Sequence, residues 1–171
     1  MTTLYVVDTS YLLEYANCDD FCIPKAVKEV RKRFEREASR GARFFVPLPC
    51  IFELGNHIAD VKHAKRRAEL AGWLLKVVEG SLKNSRPWHI TPADQPDKVL
   101  PALMELFVPL ATKSSIGLVD TFTIAEANRL KKNYPLPKLK VHIWTNDYAL
   151  KGQEPDKEHD PYRWNSDGTQ Q

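Results

Sequence analysis

Four acids stand where chemistry can be done: Asp8, Glu53, Asp120 and Asp147. Asp8 closes the run Leu4-Tyr5-Val6-Val7, and Asp147 follows Val141-His142-Ile143-Trp144-Thr145. Glu53 lies between Phe52 and Leu54, and Asp120 among Leu118, Val119 and Phe122. A carboxylate in such company is costly unless it is paired, hydrogen-bonded or bound to metal. Taken singly, each has an ordinary role. Asp8 can cap a helix, Asp120 can favour a helix dipole, Asp147 can open an Asx-turn, and Glu53 can face solvent. Their joint placement is the informative part, because ligands of a parallel sheet collect at the carboxyl ends of its strands.

The elements that must position them follow from pattern. Leu4–Val7 is apolar on both faces and reads as a buried strand. Thr9 and Ser10 then offer N-caps for a short helix over Tyr11–Tyr15. Pro24 opens a long helix with Ala26, Val27, Val30, Phe34 and Ala38 on its apolar stripe, stopped at Gly41. Arg43–Pro47 is a second strand. Helices are expected over about 49–60 and 63–79, with a short strand at Trp88–Pro92. Residues 97–112 are helical in composition, shaped or shortened by Pro101 and Pro109. Leu118–Lys132 is an amphipathic helix, and Lys140–Thr145 the clearest late strand. Strands alternating with helices predict an α/β domain with a mainly parallel sheet. Residues 1–150 read as one domain, and 151–171 as a polar tail, irregular or disordered.

Composition removes several classes. A chain of 171 residues, 43% hydrophobic with 7 glycines, suits one folded domain and excludes a disordered or collagen-like sequence. Cys18, Cys22 and Cys50 are too few and odd in number for a secreted disulfide scaffold, so a reducing, cytoplasmic setting is expected. The N-terminus lacks a basic region before its apolar run, and no apolar run approaches the ~20 residues that span a bilayer. Net charge is +3, but unevenly spread. Residues 25–43 carry +5 and residues 62–69 carry +3, whereas the tail from Gln153 carries −3. Such basic stretches suit a polyanion, although solvated helix faces look the same.

Four segments carry a resemblance: Val6-Val7-Asp8-Thr9-Ser10, Phe52-Glu53-Leu54-Gly55-Asn56, Gly117-Leu118-Val119-Asp120-Thr121-Phe122-Thr123-Ile124-Ala125 and Trp144-Thr145-Asn146-Asp147. In this order the chain resembles the PIN-domain ribonucleases, above all the VapC-like toxin branch, over residues 4–150. The resemblance implies a three-layer α/β/α domain around a parallel sheet of four or five strands. It implies Asp8, Glu53, Asp120 and Asp147 as an acidic quartet, with Thr145 as a supporting polar residue and Ser10 as a further helper. The chain departs from the family in its polar segment 151–160, where the family's last strand follows the fourth acid, and in a longer stretch between Ser81 and Thr112.

Such a quartet needs cations, since carboxylates do not approach a phosphate without them. Hard oxygen ligands select Mg²⁺ or Mn²⁺. One bound ion makes a nucleophile from water, and a second, about 3.5–4 Å away, stabilises the leaving oxygen. Asp8 and Asp147 are the expected direct ligands, with Asp120 binding directly or through water. Glu53 serves a second metal or orients water. The expectation is a metal-dependent endoribonuclease, the toxin half of a toxin–antitoxin pair, with an antitoxin protein and a second copy as implied partners. Lys28, Arg31, Lys32, Lys62 and Arg66 are candidate RNA phosphate contacts. Tyr11, Trp73 and Trp88 could stack on bases but read better as core. The alternatives are a PIN-like fold that binds RNA or protein without cutting, and a small-molecule phosphohydrolase. Cys18-x3-Cys22 lacks a second pair for zinc, His142 reads as structural, and there is no Gly-rich phosphate loop.

Overall fold

A computed structural model describes residues 2–91, 96–134 and 138–171. Strand β1 (Thr3–Val7) leads into helix α1 (Thr9–Ala16) and helix α2 (Pro24–Ser39). Strand β2 (Arg43–Pro47) is followed by α3 (Leu48–Ala59) and α4 (Ala64–Asn84). Strand β3 (His89–Thr91) precedes α5 (Pro96–Ser114) and α6 (Leu118–Asn133), and β4 (Lys140–Trp144) precedes α7 (Tyr148–Lys151). The expected elements are all present among the described residues. Pro92, placed at the end of the third strand from sequence, lies outside them.

Among the described residues the strands form one four-stranded parallel sheet in the order β3-β2-β1-β4. Side-chain alternation divides its two faces. Tyr5, Val7, Phe44, Val46 and Trp144 join a core beneath α1, α2, α3 and α4. Leu4, Val6, Phe45, Val141 and Ile143 join another beneath α6, with Leu106 and Leu110 of α5 packed against it. This is a three-layer α/β/α domain, built because strands apolar on both faces must be covered twice. The first two crossovers step from β1 to β3, and the last returns to the far side of β1. The strand order therefore reverses at β1, next to β4, the place at which parallel sheets bind ligands outside their carboxyl ends.

Helix α5 runs through Pro101 and Pro109, which were expected to shape or shorten it. Both prolines are exposed, so each ring sits outside the packed layer, while Leu103, Leu106 and Leu110 hold the helix against the core.

The tail is irregular, and no fifth strand is found among the described residues. It is nonetheless packed. Tyr162 and Trp164 are 5% and 4% exposed and join the core of the α1–α4 face. The tail also satisfies the outer edge of β4 with side chains. Asp156 accepts from the Val141 N–H at 2.9 Å, and Glu154 accepts from the Ile143 N–H at 3.2 Å. Lys131 and Lys151 donate to the carbonyls of Leu139 and Ile143 at 3.1 and 2.8 Å. Among the described residues, no single helix is long and apolar enough to cross a membrane.

Candidate functional site

Asp8 is the first residue beyond β1, and its N–H donates to the Trp144 carbonyl at 3.0 Å. This bond carries the β1–β4 pairing past the strand ends and sets Asp8 beside Thr145. The Asp8 side chain is buried. Its Oδ2 accepts from the Ser10 hydroxyl at 2.9 Å, the Ser10 N–H at 3.3 Å and the Thr145 hydroxyl at 2.9 Å. Burial pushes the Asp8 carboxyl above the usual range, and these donors only partly oppose it.

Thr145 joins two acids through one oxygen. Its Oγ1 donates to Asp8 and accepts the Asp147 N–H at 3.0 Å. Asp147, exposed, caps α7 by accepting from the Leu150 N–H at 2.8 Å. Between them, the Asn146 N–H donates to Ser10 Oγ at 2.9 Å. The Asn146 amide is held on both sides by the Trp164 backbone, accepting its N–H at 2.7 Å and donating to its carbonyl at 3.1 Å. The site turn therefore rests on the tail.

Glu53 comes from α3, on the other side of α1. Its Oε2 accepts from the Thr9 hydroxyl at 2.5 Å. Asp120 is the third residue of α6 and accepts from the Gly117 N–H at 3.4 Å. Its pKa is pushed up to about 6, first by burial, then by the charge of Asp8, and also by Asp147 and Glu53. The four acids therefore share one electrostatic neighbourhood. Cys50 lies in it too, buried, with Sγ 3.7 Å from Thr123 Oγ1. Its thiol is pushed up by burial and by Asp8, which leaves it no thiolate character at neutral pH.

The ordinary readings hold as well: Asp8 and Asp147 are N-caps, and Asp120 sits in the first turn of its helix. The positive ends of α1 and α6 help the fold to tolerate like charges close together. They do not neutralise them. Among the described residues, no Lys, Arg or His forms an ion pair with any of the four acids. Oxygen donors with unpaired negative charge are the chemistry a hard divalent cation takes. The acids are not drawn into a closed cage, since no group of three or more His, Cys, Asp or Glu side chains among the described residues is placed to hold a metal ion.

Sequence reading identified the four acids, Thr145 and Ser10. It took Thr9 only as a cap and passed over Asn146. Both lie in the segments next to the acids, but their partners, Glu53 and the Trp164 backbone, are distant in sequence.

The five candidate phosphate contacts fall into two groups. Lys28, Lys32 and Lys62 are exposed and form no ion pair among the described residues. Arg31 and Arg66 hold the α1–α2 connection. Arg31 Nε donates to the Tyr15 carbonyl at 2.9 Å, and Arg66 binds Asp19 at 3.0 Å and the Asn17 carbonyl at 3.0 Å. Arg33, part of the same basic stretch, is 5% exposed and pairs with Glu158 of the tail. Tyr11 and Trp88 are core residues, and Trp73 is half-buried against the core.

No protein-family model matches this chain, and no curated protein matches it.

Proposed function

We propose that this protein is a metal-dependent endoribonuclease of PIN-like type, working on RNA in the cytoplasm as the toxin of a toxin–antitoxin pair. One observation carries the chemistry: Asp8, Glu53, Asp120 and Asp147 lie around the carboxyl end of β1 without a protein cation among the described residues, and burial, followed by the charge of Asp8, raises Asp120. The four ordered segments resembling PIN ribonucleases support the substrate class. Three unbridged cysteines fit a reducing compartment. The antitoxin and a homodimer follow from that resemblance and belong to the same proposal.

Asp8 and Asp147, tied through Thr145, would hold Mg²⁺ or Mn²⁺, with Asp120 completing the set directly or through water. Bound there, the cation offsets phosphate charge and lowers the pKa of a coordinated water. Glu53, fixed by Thr9, would orient a water at the site or take its proton. Ser10 and Thr145 keep Asp8 in one rotamer. The exposed lysines Lys28, Lys32 and Lys62 supply non-specific affinity for the phosphate backbone.

The test is cleavage of single-stranded RNA with Mn²⁺, Mg²⁺ or EDTA. Wild type is expected to cut only with a divalent ion, and Asp8→Asn and Asp120→Asn to lose at least about 100-fold in rate, a loss of transition-state stabilisation of about 2.7 kcal/mol. Cutting that survives EDTA, or that is unchanged in both variants, defeats this mechanism. One observation favours another reading, a fold that binds RNA without cutting it: no group of three or more His, Cys, Asp or Glu side chains among the described residues is placed to hold a metal ion. Binding with no cleavage under any ion would select it. Turnover of phosphomonoesters alone would instead point to a phosphohydrolase.

A further inference from the structure

We propose that Tyr148 and Arg163 form a platform that stacks one base of single-stranded RNA next to the acidic quartet. The inference rests on the RNA reading for its ligand class. Tyr148 directly follows Asp147 and is 77% exposed, the highest exposure of any large hydrophobic residue among those described. A ring so open to water is placed for contact. The guanidinium of Arg163 lies over it, 4.5 Å from its centroid. Arg163 makes no ion pair among the described residues, and its Nη1 is buried without a hydrogen-bond partner.

A groove of about 370 Å³ runs beside the pair, bordered by Gly152, Lys157 and Pro161. Two acids also line it, Glu154 and Glu158, but both are half-buried and bound by Lys151 at 2.7 and 2.6 Å. Lys157, exposed, faces the same groove. The opening therefore offers a flat apolar surface and two cations without bound carboxylates. A nucleotide presents the matching pair, a planar base and a phosphate. A base inside a duplex has no free face, so the occupant is single-stranded. Because Tyr148 adjoins Asp147, the stacked base is close to the phosphate held at the quartet, and the platform would set the register of the cut.

The probe is a fluorescein-labelled twelve-nucleotide single-stranded oligoribonucleotide, followed by anisotropy in EDTA, where no metal-dependent cleavage occurs. Tyr148→Ala should weaken binding about tenfold, Tyr148→Phe should stay within about twofold, and Tyr134→Ala, at the far end of α6, should not change it. Arg163→Gln should weaken binding and reduce the salt slope by about one. With Mn²⁺, Tyr148→Ala should raise KM while kcat stays near wild type. Melting curves taken alongside confirm folding. Equal binding by Tyr148→Ala and wild type overturns the platform, as does loss that Phe does not rescue. If wild type binds no RNA in EDTA, the platform falls; the nuclease reading falls with it only if wild type also cuts none with Mn²⁺. If Tyr148→Ala binds weakly but wild type never cuts, the platform stands and the nuclease reading falls.

Discussion

A single hydroxyl holds two of the four acids in register. Thr145 is buried, and its Oγ1 serves the Asp8 carboxylate and the Asp147 N–H together. Thr145→Val keeps the shape and removes both bonds. Leaving buried polar partners unmet costs about 1–3 kcal/mol. The variant should melt lower, and millimolar Mn²⁺ should raise its melting temperature less than it raises that of wild type, as read by scanning fluorimetry. Wild type itself should gain from Mn²⁺ or Mg²⁺, because only the folded chain assembles the site. Asp120 carries a pH dependence of definite sign. Its folded pKa of about 6 lies above the ordinary 3.8, so the folded protein binds the proton more tightly. Its carboxylate therefore destabilises the metal-free fold at pH 7, and the penalty disappears as pH falls through 6 toward 4. Asp120→Asn should raise the metal-free melting temperature at pH 7 by a few degrees, for about 1 kcal/mol after discounting partial exposure. The same substitution should have no effect near pH 4. Asp8 and Asp147 were legible because strand ends are legible. Thr9 was not, because its reason for being there is Glu53, 44 residues away.

The strands and helices were readable from their apolar spacing, since each buries a periodic stripe. The tail had no such signal. Its order comes from isolated side chains: Trp164 and Tyr162 in the core, Asp156 and Glu154 on a strand edge, Gly168 against Ile23 and Lys25. Gly168 has φ +77°, and a Cβ there would stand 2.8 Å from that of Lys25, so only glycine lets this turn approach α2. Arg33 reverses expectation for the same reason. Placed in a basic run, it reads as surface, yet it pairs with Glu158 and packs 5.7 Å from the rings of both Trp144 and Tyr162. Trp164→Ala should cost about 3–5 kcal/mol by opening a cavity in the core. Because Asn146 is anchored on the Trp164 backbone, not on its indole, the loss should appear first in the denaturation midpoint, measured in urea.

Across the whole molecule, two sets of acids pull in opposite directions. Glu14 is buried and accepts the Ile23 N–H at 3.0 Å. Burial pushes its pKa up to about 7, against the hydrogen bonds from Ile23 and Trp164. Like Asp120, it favours the fold more as pH falls, here from 7 toward 4.5. Glu154 and Asp156 behave in the opposite way. Burial opposes their ionisation, but His142, Lys151 and the Glu158 N–H hold Glu154 below the usual range, and Lys131 and the Val141 N–H do the same for Asp156. Their stabilisation is present above the ordinary carboxylate values and is lost as pH falls through the lowered ones. Melting temperature in metal-free buffer should therefore pass through a maximum near about pH 5. Glu14→Gln should flatten the alkaline side of that curve.

The outer edge of β4 gives the acid side a further meaning. Here carboxylates, not a neighbouring strand, occupy the peptide donors of Val141 and Ile143. Protonated carboxyls are weaker acceptors, and they no longer draw in Lys131 and Lys151. What acid uncovers is a short strand with open hydrogen-bonding groups, the usual template for edge-to-edge joining of chains. Acid should thus make this protein sticky before it makes it unfolded. Light scattering is expected to rise below about pH 4 while far-ultraviolet dichroism still reports the native helices.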